Sequence, residues 1–206
     1  MIVRNVMMGL MVGLVGTGVG VHAVAADKVI GKCTVTVSGD HSATLEGLSY
    51  QGKPSNPKVQ SSGAVSRAWQ LKNAEFWRAK VPMMGERLAA AAKDVTPKVL
   101  CHSGQGSMAL QAAHGGMKPA DYPEGPHTYR LVDPRKMSKQ VRSGDLQAVV
   151  MLTGDSSLTA LSPTEPGQLK LTHSDGDRMA GTFEYVSGGS KVTGSFDFRR
   201  PDPGAK

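Results

Sequence analysis

Residues 169–198 read LKLTHSDGDRMAGTFEYVSGGSKVTGSFDF, and this stretch decides the fold. Leu169, Leu171 and His173 alternate with polar neighbours. Met179, Gly181, Phe183 and Tyr185 do the same, and so do Val192, Gly194, Phe196 and Phe198. A period of two places each set on one face of a strand. Between the sets lie Ser174-Asp175-Gly176-Asp177 and Ser187-Gly188-Gly189-Ser190, both built from turn residues. Three strands joined by tight turns form an antiparallel meander. Strands at this spacing predict a mainly β fold, an antiparallel β-sandwich or barrel-like domain.

The pattern extends upstream. Residues 146–153 (LQAVVMLT) form a β-branched apolar run that residues 158–161 can pair with through Gly154-Asp155-Ser156. Near the start, Cys33, Val35 and Val37 alternate with polar residues. Gly39-Asp40-His41-Ser42 turns the chain, and Ala43, Leu45 and Gly47 resume the alternation. Residues 51–63 read as loop, and residues 102–128, with five glycines and three prolines, read as a long loop. Residues 84–94 (MGERLAAAAKD) predict the single short helix, stopped by Pro97. Residues 64–82 fit a strand face (Val65, Trp69, Leu71) or a helix face (Trp69, Phe76, Trp77) equally well. The tail from Pro201 is expected to be disordered.

The first 25 residues have the three parts of a secretory signal: Arg4, an uncharged run over 6–21, and the small-x-small pattern Ala23-Val24-Ala25. Cleavage is expected near Ala25. The apolar run is shorter than the ~20 residues a bilayer span needs, so no transmembrane anchor is expected in the mature chain. These features predict bacterial export to the periplasm or the medium. In an oxidising compartment the two cysteines, Cys33 and Cys101, are expected to form one disulfide. The rest, residues 26–200, is long enough for one ordinary domain.

The chain carries 24 basic and 17 acidic residues, a net charge of +7. Removing Arg4 leaves +6. Residues 53–98 hold nine basic and three acidic residues, so this stretch carries the whole excess, most of it in the basic, partly helical insertion (64–98). Within it, Arg67, Trp69, Lys72, Trp77, Arg78 and Lys80 interleave cations with both tryptophans of the protein. Such a pattern binds anionic polymers by charge and stacking, and these six are the candidate ligand contacts. The alternative is that the tryptophans pack in the core while the charges face water.

Two catalytic resemblances are short. Gly154-Asp155-Ser156-Ser157-Leu158 after a strand resembles the nucleophile block of the Gly-Asp-Ser-Leu esterases, which would make Ser156 a nucleophile. That family's Asp-x-x-His does not follow. Ala112-Ala113-His114 together with Gly154-Asp155-Ser156 resembles fragments of trypsin-like proteases, but Ser157 and Leu158 replace the two glycines after the nucleophile. As a hairpin turn, Gly154-Asp155-Ser156 needs no catalytic explanation. His102, His114 and Met117 are the candidate copper or zinc ligands, since imidazole and thioether suit copper. Asp175-Gly176-Asp177 reads as a turn, because calcium needs six or more oxygens. No nucleotide fingerprint and no cofactor motif is present.

The expected function is therefore a non-catalytic binding or structural module of the bacterial envelope. Its expected partner is an anionic envelope polymer or another envelope protein. The alternatives are a periplasmic copper/zinc-binding protein and a serine hydrolase.

Overall fold

The computed structural model describes residues 28–54, 56, 60–113, 122–135, 141–154 and 157–204. The expected signal peptide, His114, Met117 and Ser156 lie outside the described residues.

Among the described residues, eleven strands and two helices follow in the order β1 (Val29–Gly39), β2 (Ala43–Tyr50), β3 (Gly63–Val65), α1 (Arg67–Lys80), α2 (Pro82–Ala92), β4 (Lys98–Ser103), β5 (Gly106–Ala112), β6 (His127–Val132), β7 (Leu146–Thr153), β8 (Leu158–Leu161), β9 (Gly167–Ser174), β10 (Arg178–Ser187) and β11 (Ser190–Arg199). The strands form one sheet in the order β2-β1-β11-β10-β9-β6-β7-β5-β4-β3, with β8 added on β7. The sheet curls into a nearly closed ten-strand barrel. The first and last strands are neighbours, paired from Gly31 with Phe198 to Gly39 with Ser190. Among the described strands only β6 and β7 run parallel, and they pair at two described positions, Leu131–Leu146 and Val132–Gln147.

Alternation sends Val35, Val37, Leu45, Phe183, Phe196 and Phe198 inward, where they fill the interior as a single core. Where β2 meets β4 the barrel is fastened by side chains. The Cys33–Cys101 disulfide joins β1 to β4 and closes 68 residues of chain. A loop of that size is worth about 4 kcal/mol on the chain-entropy account. Beside it, the Ser62 backbone N–H donates to the Leu48 carbonyl at 2.8 Å, and the Ser62 hydroxyl accepts from the His102 backbone N–H at 2.9 Å. Gly47 makes this closure possible. A Cβ there would lie 2.2 Å from Ser62 Oγ and 2.7 Å from Cys33 Sγ, inside van der Waals contact with both.

The structure corrects the expectations in four places. The described residues hold two helices where one was expected, and residues 67–80 form the first of them. Ser66 starts it, its hydroxyl accepting from the Trp69 backbone N–H at 3.3 Å. The expected long loop over 102–128 holds the end of β4, all of β5 and the start of β6. Met108 and Leu110 point inward while Ser107, Ala109 and Gln111 point outward, a strand pattern weakened by small side chains. His173 does not share the face of Leu169 and Leu171. The register shifts between Ala180 and Gly181, which turns His173 out to solvent. Finally, the tail expected to be disordered from Pro201 is tied down as far as Gly204. Gln51 bonds both backbone groups of Asp202, at 2.7 and 3.0 Å, and Gly204 lies against Phe76.

Candidate functional site

The α1–α2 hairpin is the most distinctive surface of the molecule. The first half of α1 is committed to the barrel. Trp69 is 5% exposed and belongs to the core, and its Nε1 meets no acceptor among the described residues. Lys72 pairs with Asp177 in the β9–β10 turn, and Asn73 accepts from Arg200 at 2.7 Å. The Lys72 ammonium holds the Asp177 carboxyl below the usual carboxylate range, with Arg200 adding to the effect. These contacts lay α1 against the β9–β10 turn and the end of β11.

The second half of α1 meets α2 and Gly204. Phe76 and Trp77 meet edge to face with ring centroids 5.4 Å apart, and the Lys80 ammonium sits 4.1 Å from the Phe76 centroid. Val81 alone separates the helices, and Pro82 opens α2, where its missing N–H costs nothing. The helices fold back on each other because Gly85 lies against the backbone of Arg78. A Cβ at Gly85 would come within 2.5 Å of it. Arg78 then reaches Glu86 at 2.8 Å.

Two properties result. Residues 67–93 hold six basic residues and two acidic ones. Of the six, Arg67, Lys80, Arg87 and Lys93 make no ion pair among the described residues. At the joint, Val81, Met83 and Met84 are 44%, 66% and 42% exposed. Of the expected ligand contacts, the hairpin exposes Arg67, Arg78 and Lys80 and half-buries Trp77. Trp69 and Lys72 are turned to the barrel. Sequence reasoning missed Val81, Met83, Met84 and Arg87. The available signal was Val-Pro-Met-Met between two helical segments.

A groove runs over the outside of the barrel closure. One part, about 740 Å³, is lined by Glu46, Leu48, Tyr50, His102, Met151 and Leu158, among others. It continues, through Glu46, Ser103, Gly104 and Thr153, into a part of about 820 Å³ that also touches His41, Gly154 and Ser157. The Gly154 N–H donates to the Ser157 carbonyl at 2.9 Å, the closing bond of a hairpin turn. Cys101 is held in the disulfide. Among the described residues no three His, Cys, Asp or Glu side chains gather as metal ligands.

The buried Asp145 and the two tyrosines near it are bonded within the fold. Asp145 accepts from Arg130 Nε at 2.8 Å and from the Arg142 backbone N–H at 2.7 Å. Its carbonyl accepts from the Tyr122 hydroxyl at 3.1 Å. The Tyr129 hydroxyl donates to the Pro123 carbonyl at 2.8 Å, and burial pushes its pKa up to about 12, so it stays protonated at neutral pH.

No helix among the described residues is long and apolar enough to cross a membrane. No protein-family model matches the chain, and no curated protein or solved structure is found similar to it.

Proposed function

We propose that this chain is a non-catalytic binding module of the bacterial envelope. It is exported to the periplasm or the medium by the signal peptide over residues 1–25. Its α1–α2 hairpin binds an anionic component of that compartment. One observation carries the reading: the hairpin is anchored to the barrel through Trp69, Lys72 and Asn73, while Arg67, Lys80, Arg87 and Lys93 make no ion pair among the described residues. Unpaired cations on a fixed support form a positive field that attracts polyanions and weakens with salt. The filled barrel interior and the internally satisfied Asp145 network supply a scaffold for this surface.

The test is titration of the purified protein with heparin, read by tryptophan emission, at low and high salt. Binding is expected at low salt and lost at high salt. Charge reversal in Lys80→Glu/Arg87→Glu is expected to abolish it while the unfolding midpoint holds. Absence of heparin binding at low salt, or binding indifferent to both salt and charge reversal, overturns the reading.

A further inference from the structure

We infer that the anionic component is a lipid surface, and that Val81, Met83 and Met84 enter its interfacial layer while Lys80 and Arg87 contact its phosphates. This rests on the anionic-ligand reading above and names the ligand class. The three apolar side chains are exposed together at a single-residue joint between two helices. Among the other apolar side chains of the hairpin, Trp69, Ala74 and Ala92 are buried and Phe76, Trp77 and Leu88 are partly buried, so the exposed large ones are those at the joint. Clustered apolar exposure of this kind marks an interaction surface.

The chemistry around the joint selects the partner. A soluble polyanion satisfies Lys80, Arg78 and Arg87 but offers nothing to two methionines. A bilayer interface offers both at once, with anionic headgroups above an acyl boundary that amphipathic segments enter by about 5–10 Å. The joint is a one-residue turn between two helices with all three side chains exposed, and a penetrable phase takes up such side chains without a preformed pocket. Apolar contact and basic flanks are two weak signals that together give stable anchoring. Each cation near an anionic surface adds about fivefold in partitioning.

The experiment is co-sedimentation of the full chain with phosphatidylglycerol vesicles and with phosphatidylcholine vesicles. Binding is expected to the first and not to the second. Met83→Ser/Met84→Ser is expected to weaken vesicle binding about tenfold and to leave heparin binding and the unfolding midpoint unchanged. Quenching by lipids carrying a quencher at the acyl boundary is expected for wild type and lost in the double variant. If the double variant binds vesicles as well as wild type, the lipid inference fails while the polyanion reading stands. If neither vesicles nor heparin bind, both fail.

Discussion

Trp69 and Trp77 lie eight residues apart on one helix and have opposite fates. Trp69 is sunk into the barrel core, and its neighbours Lys72 and Asn73 are spent on the β9–β10 turn and Arg200. Trp77 lies half-buried against Phe76, on the half of the helix that carries Arg78 and Lys80. In sequence the two halves look alike, each an aromatic residue among cations. The difference teaches that composition marks a candidate surface but not its division. One half of the motif is tied to the barrel through Trp69, Lys72 and Asn73, and the other half keeps its aromatic pair and cations at the surface.

The two halves can be separated by substitution. The largest effect should come from the barrel. Replacing the disulfide in Cys33→Ser/Cys101→Ser is expected to cost about 4 kcal/mol by urea unfolding. Heparin binding of the fraction that remains folded should be unchanged, because the bridge lies at the β1–β4 closure. A loss of binding at full folding would mean that barrel and hairpin are coupled. Next, Trp69→Ala is expected to cost about 3 kcal/mol, the usual cost of emptying a large core position. Trp77→Ala should cost less than about 1 kcal/mol. Equal costs at the two positions would remove the distinction drawn here.

Gly47→Ala is expected to cost about 2 kcal/mol, since its Cβ must displace Ser62 Oγ and Cys33 Sγ. The same unfolding measurement reads it, and an indifferent result would show that the closure can yield. The smallest effect is that of acid. The carboxyls of Asp177 and Asp197 are held below their ordinary range by Lys72 and Arg178. A depressed folded-state pKa contributes stability above the unfolded value and loses it as pH falls through the folded one. Stability should therefore decline below about pH 4. Asp177→Asn should flatten that decline slightly, because the pair is solvent-exposed. A urea midpoint with the same acid slope in wild type and variant would exclude the pair as a contributor.

How much of this was legible in the sequence depended on side-chain contrast. The meander β9–β11 and the hairpin β1–β2 could be read because large apolar residues alternate with polar ones. In β5 the outward positions are Ser107, Ala109 and Gln111, too small or too neutral to sharpen the alternation, and Gly104 and Gly106 suggested a loop. The three residues of β3 are too few for any period. The bulge that turns His173 outward is a property of pairing with β10, which one strand's sequence does not contain. For α1 a usable signal existed in Ser66 as cap and Pro82 opening the next helix, but the buried Trp69 fitted a strand equally well. At the candidate site the density of cations was plain. The exposed Val81, Met83 and Met84 were not, because such residues in sequence read as core.

The pairing of β1 with β11 has a consequence for manufacture. A chain that emerges N-terminus first completes β1 and β2 before the later strands, yet the other side of β1 waits for residues 190–199, made after all the other described strands. Until then, positions 31–39 offer an open, apolar-lined strand edge, the kind that captures other chains. Truncation before residue 190 would leave the edges of both β1 and β10 unpaired. Loss of the ten-residue β11 should therefore make the barrel aggregate, even with every residue of the helical hairpin intact.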